Sequence, residues 1–143
     1  MTTYSFATLP AWATKVQKIA DAVVSQSAND MLASIKIAPG ITRGGSRQRG
    51  TIPRDLGALA ASLQSSLYGG TAMSGATSFV FVAGQMEAGD VAQFAWGGNV
   101  APYAKAVHYG ARGVQGTFWI DVAANKWPQF VRGAVRKAKA TIQ

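Results

Sequence analysis

The 143-residue chain has no cysteine, a single histidine and charge at only 14% of its positions, where soluble domains average about 25%. Without cysteine there is no disulfide scaffold, thiolate metal site or cysteine nucleophile. Any Ser-His-Asp or histidine-metal arrangement would have to be built on His108 alone. No G-x-S-x-G elbow, H-E-x-x-H pair or second soft ligand accompanies it. A packing or interface role for His108 is therefore expected. The six acids are scattered, apart from Glu87 and Asp90 in a glycine-containing turn where solvated carboxylates are expected. The glycine-rich stretches GITRGGSRQRG and GARGVQG fit neither a dinucleotide fingerprint nor a phosphate loop. No run of 18 apolar residues occurs, and the start MTTYSFATLPAW lacks a basic segment followed by an apolar one. Neither a membrane span nor a secretory signal is expected. These absences describe a protein that is not an enzyme and holds no metal or cofactor.

The formal charge of +8 arises from missing acids, and it is unevenly placed. Lys36, Arg43, Arg47, Arg49 and Arg54 occupy residues 36–54 with no acid among them. Residues 55–104 hold no Lys or Arg, only Asp55, Glu87 and Asp90. The last block supplies Lys126, Arg132, Arg136, Lys137 and Lys139. Two basic poles thus flank an acidic-leaning middle. The C-terminal pole suits the carbonyl end of a helix dipole. The pole at 36–54 reads either as a solvated loop or as a contact for a polyanion or an acidic partner.

One domain spanning 1–143 is expected at this length. Thr8 and Pro10 can start a helix whose Trp12, Val16, Ile19, Val23, Met31 and Ile35 recur at helical spacing. It would run from about 10 to 36 and reach about 40 Å, the diameter of the whole domain. Its polar middle, Ser25 to Asn29, marks a potential kink. Residues 38–54, with four glycines and no apolar period, predict a mobile basic loop longer than most connections. Asp55 caps a short helix over Leu56–Leu63. Three strands then follow at Leu63–Tyr68, Ser78–Val82 and Val91–Trp96, with a glycine-rich turn at Gly69–Gly75. The short connections predict a meander. A helix over Tyr103–Tyr109 stops at Gly110, a loop holds Gly113 and Gly116, and a last helix begins near Asp121, with Pro128 at a start or kink. The fold class is α+β, a long N-terminal helix and a C-terminal helix packed on a small antiparallel sheet of three to four strands.

The segments read as loops and element ends carry aromatic side chains: Trp96 beside Gly97 and Gly98, Tyr103, Tyr109, and Phe118-Trp119. They read either as core or as an interface between subunits, whose centres favour aromatics and exclude charge.

The segment Pro102-Tyr103-Ala104-Lys105-Ala106-Val107-His108-Tyr109-Gly110, followed by Gly116-Thr117-Phe118-Trp119-Ile120 and Ala123-Ala124, resembles the C-terminal pattern of the tail-component family of tailed bacteriophages. That family comprises neck, tail-completion and minor tail protein Z-like components. Upstream, Pro53-Arg54-Asp55-Leu56-Gly57-Ala58-Leu59-Ala60-Ala61-Ser62-Leu63 looks like the family's P-x-[DR]-T-G-x-L-R-x-S-I element. The similarity covers most of 10–138. His108 stands where Glu is usual, Thr117 where Pro is, Leu56 where Thr is and Ala60 where Arg is. The resemblance implies a virion protein, in the host cytoplasm during assembly, that forms a homo-oligomeric ring at the head-tail junction or tail end. Its partners would be neighbouring connector and tail proteins, with non-specific contact to passing DNA, no membrane and no catalysis. Trp12, Tyr103, His108, Tyr109, Phe118 and Trp119 are the expected interface residues. The alternative is a small DNA-binding protein using Lys36, Arg43, Arg47, Arg49 and Arg54.

Overall fold

The computed structural model describes residues 9–35, 49–52, 58–68, 70–99 and 101–141. Helix α1, Leu9–Ile35, is continuous. The polar stretch Ser25–Asn29, marked as a potential kink, does not break the helix, and two of its side chains bond within it. Ser27 Oγ donates to the Val23 carbonyl at 2.6 Å, and Gln26 Nε2 donates to Asp30 at 2.7 Å. The stripe that ends in Leu32 and Ile35 enters the main core with Ile52, Leu59, Leu63, Phe79, Val107 and Trp119.

A four-residue helix, α2 (Ala58–Ala61), leads into β1 (Gln64–Leu67), the central strand of a three-stranded antiparallel sheet. β2 (Met73–Ser74) pairs on one side, Gln64 opposite Ser74, and β3 (Ala92–Ala95) on the other, Gln64 opposite Ala95. The predicted middle strand Ser78–Val82 is instead helix α3, Ser78–Gln85, and the meander is corrected with it. Phe79, Val82, Ala83 and Met86 are buried while Val80, Phe81, Gly84 and Gln85 are exposed. That is the i, i+3, i+4, i+7 period of a helix, not the alternation of a strand. Packing on α1 decides the state. Ala83 and Met86 lie in one cluster with Ala28 and Val24, which overrides the strand preference of Phe-Val-Phe-Val.

Helix α4 (Ala104–Tyr109) runs into a hairpin of two-residue strands, β4 (Gly110–Ala111) and β5 (Val114–Gln115), where a loop was expected. Helix α5, Trp119–Thr141, starts two residues before the predicted cap Asp121. It also carries Pro128 in its interior, against expectation. Pro128 and Ala124 both lie on the exposed face, so the Ala124 carbonyl that loses its helical donor meets water. α5 returns antiparallel along α1. Its start meets the end of α1 through residues 49–52, where Gly50 N–H donates to the Thr117 carbonyl at 2.7 Å and Ile52 N–H to the Ile35 carbonyl at 3.2 Å. Further along, Lys137 Nζ stands 4.0 Å from Asp30. The rest of the predicted loop 38–54, the Thr8 cap and the Asp55 cap lie outside the described residues.

Candidate functional site

Five aromatic residues, Trp96, His108, Tyr109, Phe118 and Trp119, converge at the corner where α4 turns into α5. Gly110 ends α4 at φ 92°, and the hairpin turns through Arg112 and Gly113, both with positive φ. Gly116 then passes so close under α4 that a Cβ there would collide with the His108 carbonyl oxygen. Two orphan carbonyls at the α4 end are satisfied from the far side of the hairpin. Thr117 N–H donates to the Val107 carbonyl at 3.1 Å and Phe118 N–H to the His108 carbonyl at 3.0 Å. Thr117, standing where the resembled family has proline, supplies an N–H that proline lacks.

This backbone lock collects four rings. His108 lies edge-on to Tyr109, Phe118 and Trp119 with centroids 4.6, 5.6 and 4.9 Å away. Trp119 meets Trp96 at 6.2 Å, and the Arg49 guanidinium stands over Phe118, 5.2 Å from the ring centre. Such T-shaped pairs each contribute about 0.5–1.5 kcal/mol beyond area burial.

His108 is buried, and its Nε2 makes no hydrogen bond, with the exposed Asp121 carboxylate 4.0 Å away. Thr117 Oγ1 and Trp119 Nε1 are likewise buried without a hydrogen-bond partner among the described residues. The corner therefore has the chemistry of a packing joint: one acid at its rim, ring edges inside. Among the described residues, no three His, Cys, Asp or Glu side chains come together as metal ligands would. A nearby cavity of about 10 Å³, with Leu32, Ile52, Leu63, Phe79 and Trp96 in its wall, has at most the volume of one water and apolar walls that keep it dry.

The expected interface residues separate into two groups. Trp119, 1% exposed, and His108 belong to the chain's own interior, so a contact with a neighbour cannot use them directly. Phe118 is half-buried. Trp12, Tyr103 and Tyr109 are exposed, Trp12 by 64%. Of the expected cationic contacts, Arg49 is described and exposed; Lys36, Arg43, Arg47 and Arg54 lie outside the described residues.

Three features escaped sequence reasoning. Val80 and Phe81 stand on the outer face of α3, although the helical period of residues 79, 82, 83 and 86 could have revealed it. Ser65 and Ser78 share a buried hydroxyl–hydroxyl bond of 2.7 Å that ties β1 to the start of α3. Arg132, Arg136 and Lys139, spaced four and three apart, form one exposed stripe of α5; dipole complementation explains only the last of them. No protein-family model, curated protein or solved structure matches this chain.

Proposed function

We propose that the protein is a non-catalytic structural subunit that assembles with copies of itself, in the role its sequence resemblance implies: a ring-forming neck or tail-completion component of a tailed bacteriophage virion. The observation that supports this best is the distribution of exposed apolar side chains. Trp12, Val80, Phe81, Tyr103, Tyr109 and Ile120 are each 46% or more exposed, on a chain with little charge. Scattered apolar residues are ordinary on a monomer, but aromatic-rich faces poor in charge are the composition of subunit interfaces. A ring subunit makes heterologous contacts with two neighbours and so needs two such faces. The test is mass spectrometry and immunogold labelling of purified virions. Multiple copies per particle at the neck or tail end are expected, and absence from the particle overturns the reading.

A second reading, contact with DNA, draws on the exposed stripe Arg132, Arg136 and Lys139 as well as on the basic segment 36–54. If the stripe and Arg49 each neutralise a phosphate, log K falls with log salt at a slope of about −3 to −4. Loss of about three units of slope in the triple Arg132→Gln, Arg136→Gln, Lys139→Gln variant would place the contact on α5. Absence of binding at low salt rejects this reading.

A further inference from the structure

Among the described residues, the first turns of α1 have no partner outside their own helix. Every residue from Pro10 to Lys18 is exposed, a stretch of about 13 Å, and its apolar side chains Trp12 and Val16 are 64% and 44% exposed. They stand one turn apart on a side of the helix different from the one that Leu32 and Ile35 bury further along, about 200° around the axis from Leu32 at 100° per residue. The second uncovered element is α3, whose segment Ser-Phe-Val-Phe-Val-Ala-Gly-Gln is apolar all round. A helix of that kind is normally buried on every side. Phe79, Val82 and Ala83 are covered, but Val80 and Phe81 are 50% and 60% exposed. Gly84, one turn on from Val80, carries no side chain and is exposed, and a Cβ there would meet only open space.

We infer that the projecting end of α1 of one copy docks on the outer face of α3 of a second copy, with Trp12 packed against Val80 and Phe81 over the bare backbone of Gly84. This deepens the proposed self-assembly and rests on it. The chain cannot make this contact within itself. The inner face of α3 packs on α1 through Ala83 and Met86, so Val80 and Phe81 look away from α1, which is continuous to Leu9 and does not fold back.

Charge selects this pairing over docking of the projecting end on its own counterpart. Residues 10–18 carry Lys15 and Lys18 and no acid; two such ends side by side would oppose like charges. The turn that follows α3 carries Glu87 and Asp90 and no base. Both are exposed, and no cation pairs with either among the described residues; the turn is fastened to its own α1, where Asp21 Oδ1 accepts from Ala88 N–H at 2.8 Å and adds a third acid beside it. Opposite signs across a contact fix register and reject the wrong mate. The apolar area of four side chains falls below the roughly 1,200 Å² of a stable pair, so the contact is weak singly and gains by repetition. Being heterologous, it leaves one free face at each end of a growing chain of copies and closes into a ring where the rotation between copies allows.

The test is sedimentation velocity of the full chain over a concentration series up to the solubility limit. Wild type should associate with rising concentration. Trp12→Ala should weaken association by about 30-fold, the loss typical of a central interface tryptophan, and Phe81→Ser should do likewise. An equimolar mixture of these two variants retains one intact α1 end and one intact α3 face, so it should form a 1:1 dimer and nothing larger. If Phe81→Ser proves unfolded by circular dichroism, Glu87→Lys takes its place in the mixture. Lys15→Glu should weaken association, and combining it with Glu87→Lys should restore it. A wild type that stays monomeric throughout, or a mixture that stays monomeric while wild type associates, overturns the contact. A chain found in virions that fails the mixing test loses this contact alone and keeps its virion role.

Discussion

The two ends of α1 obey the same sequence rule and meet opposite fates. From Ser27 to Ile35, four residues are fully buried, between α5 on one side and α3 on the other. From Pro10 to Lys18 none is, although Trp12 is a larger apolar side chain than any in the buried half. A helix this long nucleates and propagates as one unit, but an exposed turn is held only by its neighbours along the chain. Periodicity therefore reports which face of a helix seeks cover, and says nothing about whether the cover comes from the same molecule.

The largest expected contrast is in amide exchange. Amides of Ala28–Ile35 should open only with the global unfolding of the domain, about 5–15 kcal/mol, and those of Trp12–Lys18 close to freely. Equal protection at both ends, in monomer, would remove the distinction. Next, Leu32→Ala should cost about 2–5 kcal/mol in urea denaturation, because Leu32 is 2% exposed within the main core. Ser27→Leu should cost about 1–3 kcal/mol by overpacking, since Ser27 is fully buried on the helix that packs along α5. Trp12→Ala should change monomer stability by less than about 0.5 kcal/mol, checked by the same denaturation at a concentration where wild type is monomeric. A cost near 2 kcal/mol would mean that Trp12 has a partner within its own chain.

Much of the architecture was legible because it rests on local signals. The extent of α1, the strands Gln64–Leu67 and Ala92–Ala95, and the glycine stop at Gly110 each reappear within a few residues, whereas of the expected α1 stripe only Ile35 is fully buried. α3 was not legible as a helix. The four residues Phe79, Val80, Phe81 and Val82 satisfy both periods; the helical one shows only when Ala83 and Met86 are counted with Phe79 and Val82, and packing of Ala83 and Met86 on α1 decides it. Pro128 misled for a related reason, since its cost depends on whether the orphaned carbonyl faces water. The aromatic corner was legible as a place but not in its roles. His108, Phe118 and Trp119 were singled out together, yet burial divides them, and the division comes from Gly116 and the paired N–H groups of Thr117 and Phe118. The Lys15–Lys18 end and the Glu87–Asp90 turn were visible as charge; their apolar companions Val80 and Phe81 required the helix to be known.

The stitch at residues 49–52 changes how the chain around it behaves as a polymer. Gly50 is fastened to Thr117 and Ile52 to Ile35, so what reads as one long connection becomes two tethers, of thirteen residues before Arg49 and five after Ile52. Each has its ends pinned independently, and lengthening one leaves the other's span untouched. Closing the chain is thereby split into two separate steps, and the entropy of each grows only with the logarithm of its own length.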